Sequence, residues 1–248
     1  NQILNKKSKE ELIELLENFI GKNPELKSLI VIERKEIISK IKRLFSDFWD
    51  WNEVNDLISQ LETILEGIRR NKSMWDKNLL NEMEVCSNIM INNVENVHDE
   101  GDFGIFLESW LKTYGEVFSK TKPTVEEKRK FIQKVLYWME KDDYGLDSSY
   151  EKALIGMCDS KEDIALIKSA IKPLENKSPD DKDYYENFYL ELYDKMNMHK
   201  EYLDLANQLE LTPEVIDKLI SLNKLDEALE ICKNKGKKMA SYQKGSNN

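Results

Sequence analysis

Apolar residues recur at intervals of three and four along almost the whole chain, the period at which one face of an α-helix meets its neighbours. Leu12, Leu15, Leu16 and Phe19 form the first such stripe. It follows a Ser8–Glu11 capping box, in which the hydroxyl and the carboxylate each accept an amide at the helix start. Gly21 and then Asn23-Pro24 end that helix and open a short one carrying Leu26, Leu29 and Ile30. From about 35 to 48, Ile37, Ile38, Ile41, Leu44 and Phe45 oppose Lys40, Lys42 and Arg43, giving the most basic helix of the chain. Asn52 is the expected cap of a long helix through Val54, Leu57, Leu61, Ile64 and Ile68. Ser73 is the expected cap of another through Trp75, Leu79, Met83, Cys86 and Met90.

His98 to Gly104 reads as the first loop, because two glycines and three carboxylates interrupt the period. It is the expected boundary between an N-terminal helical subdomain, 1–97, and a C-terminal helical-repeat subdomain, 98–248, with packing of the two as one domain as the alternative. The pattern resumes with Phe106, Leu107, Trp110, Leu111, Tyr114 and Phe118 and breaks at Lys122-Pro123. A Thr124–Glu127 capping box then restarts it. Shorter helices are expected near 149–158, 161–174 and 181–197, and beyond them near 199, 213 and 225. Thr212-Pro213 is a start signal there, and Asn223 a left-handed stop. Helices of about three turns do not stand alone in water and need neighbours to stack on. The expected fold is therefore all-α, about a dozen helices in an irregular α-solenoid or helical-hairpin array.

Composition narrows this picture. Nine glycines and five prolines in 248 residues leave too few turn residues for a sandwich, barrel or propeller. A net charge of −10 disfavours direct nucleic-acid binding, which leans on clustered lysine and arginine. Cys86, Cys158 and Cys232 are odd in number and far apart, as expected of unpaired thiols in a reducing compartment. With no long apolar run and no signal-like start, the expectation is a cytoplasmic protein without membrane association. The first residue is Asn1 and the last five are Lys-Gly-Ser-Asn-Asn, which reads as an excised piece of a longer chain.

Asn223-Lys224-Leu225-Asp226-Glu227-Ala228-Leu229-Glu230 resembles the turn and second-helix start of tetratricopeptide-like repeats. The helix starts here lie closer together than the ~34-residue period of that family. Leu12-Ile13-Glu14-Leu15-Leu16, Asn23-Pro24-Glu25-Leu26, Trp138 to Gly145 and the Glu-Ala-Leu tail together resemble the all-helical region accompanying some archaeal and bacterial SWIM zinc-finger proteins. That finger requires a C-x-C pair followed by C-x-H, a spacing this chain lacks, so no zinc ligand is carried over. The resemblance implies the helical partner segment of a larger system.

Catalytic signatures are sparse. His98-Asp99 evokes metal phosphohydrolases, but the only other histidine is His199. Asp142-Asp143 and Asp180-Asp181-Lys182-Asp183 suit helix starts and loops as well as they suit Mg²⁺. Tyr144 occupies a ligand position in the one run that approaches an EF-hand. Phosphate-cradling glycine loops and a nucleophile elbow are absent from the sequence. No cofactor is expected.

Aromatic groups point instead to a protein partner. Trp49 and Trp51 mark a helix junction, and Tyr185 and Tyr189 share a stripe that Tyr202 on the next helix can face. The expected function is a non-enzymatic scaffold or adaptor that presents a helical groove to a partner peptide or helix, with the groove among Tyr185, Tyr189 and Tyr202. The alternatives are a metal-dependent hydrolase or lyase using the acidic loops near His98 or Asp180, and a regulatory module of a nucleic-acid machine.

Overall fold

The computed structural model describes residues 36–98, 101–177 and 182–233, without side-chain detail at 175–177 and 182–183. The helices expected before residue 35, and Asp180, lie outside the described residues. The fold is all-α. The helices are α1 (Ile37–Leu44), α2 (Val54–Arg70), α3 (Lys77–Asn92), α4 (Asp102–Lys120), α5 (Val125–Glu140) and α6 (Asp147–Met157). They continue with α7 (Lys161–Lys177), α8 (Lys182–Lys195), α9 (His199–Gln208), α10 (Thr212–Ser221) and α11 (225–233). Among the described residues the only β pairing is one isolated parallel bridge between Trp49 and Val97.

Two compact units divide the chain, residues 1–158 and 159–248, rather than units meeting at 97/98. The reason is α4, which packs on α2 and α3 from the other side of that expected boundary. Phe103, Leu107, Trp110, Leu111, Tyr114 and Val117 of α4 are buried. The Arg69 guanidinium on α2 donates to the Thr113 hydroxyl and the Ser109 carbonyl on α4, each at 2.9 Å. Helix α3 supplies acceptors for the polar ends of three core aromatics. Trp110 Nε1 donates to Ser87 Oγ at 2.9 Å, the Tyr114 hydroxyl to Glu84 at 3.2 Å, and Trp138 Nε1 to Asn88 Oδ1 at 3.1 Å. Large rings can be buried there because their donors stay satisfied.

Three expected boundaries shift, each for a local reason. Helix α2 starts after Glu53, with no side-chain cap, so Asn52 does not cap it. Helix α3 is capped by Asp76, whose carboxylate accepts from the amides of Asn78 and Leu79, while Ser73 sits in a 3₁₀ turn. The loop expected through Gly104 ends sooner. Gly101 takes a left-handed φ of 114°, and α4 begins at Asp102 with Gly104 inside its first turn. The Thr124–Glu127 capping box forms as its sequence dictates.

In the second unit, α8 to α11 are joined by three alike turns. Asn197, Glu210 and Asn223 are left-handed, with φ of 52°, 57° and 58°, at an even thirteen-residue spacing. In each turn the next amide reaches back to the fifth residue before it. Met198 donates to Tyr193, Leu211 to Ala206 and Lys224 to Leu219, at 2.8 to 2.9 Å. This is the Schellman closure, which satisfies carbonyls left open at a helix end. Leu190, Ala206, Val215, Leu219 and Ala228 form the core these helices share, with Leu203 and Ile216 packed against it.

Candidate functional site

The first unit carries an opening of mixed polar and apolar lining beside the bridge between Trp49 and Val97. The Trp49 amide donates to the Asn96 carbonyl at 2.8 Å, and His98 returns an amide to the Trp49 carbonyl at 3.0 Å. The Trp49 indole donates to the Leu44 carbonyl at 2.5 Å and is half-buried, so it serves as an anchor for the loop. Its neighbours stay outside. Phe48 is 58% exposed with its ring 6.3 Å from that of His98, and Trp51 is 62% exposed.

His98 lines a cavity of ≈ 510 Å³ together with Glu95, Ile105, Glu108, Tyr144 and Leu146. Ile105 is 65% exposed and Tyr144 54% exposed. The Tyr144 hydroxyl lies 3.5 Å from a Glu95 oxygen, and Ser148 Oγ donates to Glu108 at 2.8 Å. Burial, then the charges of Glu95, Asp143 and Asp142, hold the Tyr144 hydroxyl above its ordinary pKa. Ile105 also lines a second cavity of ≈ 460 Å³, between α2 and α4, with Glu62, Glu66, Arg69 and Asp102. The sequence pattern singles out Trp49 and Trp51 at a helix junction but not Ile105 and Tyr144, since one isoleucine on a helix and one tyrosine in a loop carry no periodic signal.

The tyrosines of the second unit are placed differently from an open groove. Tyr185 and Tyr189 are 7% and 5% exposed and belong to the α8 core face. The edge of Tyr189 reaches a cavity of ≈ 460 Å³ with Lys168, Lys172, Glu186, Leu205 and Gln208. Lys168 Nζ lies 4.4 Å from the centre of the Tyr189 ring and donates to the Tyr193 hydroxyl at 2.9 Å. Tyr202 is half-buried, with Lys218 Nζ 5.0 Å from its ring centre. Burial, then Asp194, Glu214 and Asp217, raise its hydroxyl pKa.

Among the described residues no three histidine, cysteine, aspartate or glutamate side chains converge in a way that could hold a metal ion. Asp142 is occupied locally, one oxygen accepting the Leu146 amide at 2.6 Å and the other facing the Tyr150 hydroxyl at 3.4 Å. No described helix is long and apolar enough to cross a membrane. Comparison with protein-family models, with curated proteins and with solved structures gives no match.

Proposed function

We propose that this protein is a non-enzymatic interaction scaffold of the cytoplasm, holding a partner peptide or helix against an opening in its first unit that is flanked by exposed apolar side chains. The observation that carries this reading is the grouping of Ile105, Tyr144 and Phe48, each more than half exposed, around His98 and one cavity. Exposed aromatic and aliphatic groups beside a concavity are the usual anchors of protein recognition. The helices behind them are held by a large, hydrogen-bonded core, so the surface is preformed. The evenly spaced turns of α8 to α11 support a helical-repeat character for the second unit, in which each helix is stabilised by the next.

Affinity purification with mass spectrometry tests the reading. Wild type is compared with Ile105→Ser/Tyr144→Ser and with Tyr137→Ser, a control on α5 that is also exposed. Partners recovered by wild type and by the Tyr137 variant, but lost from the Ile105/Tyr144 variant, are expected. An identical partner set from all three folded proteins would contradict it.

A further inference from the structure

Resting on the scaffold reading, the structure also points to the chemistry of the partner. The cavity at Ile105 is lined by Glu95, Glu108 and His98, and by no lysine or arginine. Glu95 and Glu108 face only hydroxyl groups, those of Tyr144 and Ser148, and neither has an ion-pair partner among the described residues. Asp142 and Asp143 add negative charge at Tyr144. On the other side of Ile105, the adjoining cavity holds Arg69, but its guanidinium is already committed to Glu66, Thr113 and the Ser109 carbonyl. Glu62 and Asp102 in that cavity have no ion-pair partner among the described residues. The exposed Ile105 thus stands between two concavities that share one sign of charge.

An occupant that covers Ile105 and Tyr144 removes water from these carboxylates. An acidic segment would add like charge to cavities whose described lining holds no cation but the committed Arg69, whereas a basic one exchanges hydration for direct pairing. The net charge of −10 draws a basic chain from a distance and repels an acidic one. We infer that the partner is a basic peptide segment bearing a large apolar side chain. Its lysines or arginines pair with Glu95 and Glu108, and its apolar group packs on Ile105 and Tyr144.

Two synthetic helical peptides of about 18 residues test this on the full chain by titration calorimetry. One is patterned from leucine and lysine, the other from leucine and glutamate. The leucine-lysine peptide is expected to bind, more weakly as salt is raised, and the leucine-glutamate peptide is not. Glu95→Gln with Glu108→Gln should weaken binding about tenfold, and Ile105→Ser by about tenfold or more. Circular dichroism confirms that each variant is folded, and Tyr137→Ser is expected to bind as wild type does. Equal or preferential binding of the leucine-glutamate peptide overturns the inference, as does binding of neither peptide or binding indifferent to Glu95, Glu108 and Ile105. The scaffold reading fails separately, by the partner sets of the Ile105/Tyr144 variant.

Discussion

Gly115 and Gly156 meet where α4 crosses α6, so closely that a Cβ built on Gly156 would lie 3.1 Å from the Gly115 Cα. Such a Cβ would also lie 2.2 Å from the Lys112 carbonyl, and one on Gly115 would lie 2.1 Å from the Ala153 carbonyl. The obstructing atoms are backbone, which no rotamer change can move. These two helices therefore pack main chain to main chain, and the pair sets the position of Ser148 in the first turn of α6, and of the loop holding Tyr144 just before it, relative to Ile105.

Alanine at Gly115 or Gly156 should consequently destabilise the first unit by about 2–4 kcal/mol, through overpacking against backbone. Gly104→Ala, whose Cβ would meet only Leu146 Cδ2 at 3.4 Å, is the control and should be near neutral. Urea unfolding checks both. A mild effect at Gly115 would mean that the helices separate without cost.

The repeated turns make a prediction of opposite sign. Glu210 is held left-handed at φ 57°, where a side chain costs energy and glycine does not. Glu210→Gly is expected to stabilise the second unit by up to about 1 kcal/mol, the glycine's greater freedom in the unfolded chain taking back part of the gain. A loss of stability in thermal melts of Glu210→Gly would show that the side chain has an unrecognised role.

Glu127 links stability of the α5 start to pH. Hydrogen bonding to Lys77, then to the Thr124 amide and hydroxyl, lowers its pKa from 4.5 to about 2. A carboxyl whose pKa is lower when folded stabilises above its unfolded value and loses that effect as pH falls through the folded one. The stability gap between wild type and Glu127→Gln should therefore be full above about pH 5 and close between 4.5 and about 2. Urea unfolding across that range measures it. A gap unchanged at low pH would contradict the assignment.

Thiol chemistry should separate the three cysteines. Cys86 and Cys158 are buried and Cys232 is exposed. Burial, then the charge of Glu82, pushes the Cys86 thiol up to about 12, with Lys42 pulling weakly the other way. At pH 8 a disulfide reagent should modify one thiol per native chain, at Cys232, and three in denaturant. Rapid native modification of Cys86 would require α3 to open.

Helical period was enough to place α2 to α6, though not their exact starts, and capping residues were enough for the Thr124 box and the left-handed Asn223, because these depend on neighbours within one turn. The Asp76 cap was hidden by Ser73, an equally good acceptor that lies just before the apolar Met74 and Trp75. The unit boundary was illegible for a different reason. A glycine-rich loop at 98–104 looks like a linker, yet the α4 stripe that follows it is complementary to α2 and α3, a relation no local signal encodes. Aromatic spacing found the Tyr185 and Tyr189 stripe but could not say that it faces inward. Burial is decided by the helices that arrive opposite.

Hydrogen exchange of the full chain, alone and with the leucine-lysine peptide, tests the central claim most directly. The account predicts slower exchange confined to 94–98, 101–108 and 144–149, and unchanged rates across α8 to α10. Protection confined to α8 and α9, or protection spread evenly over both units, would contradict it.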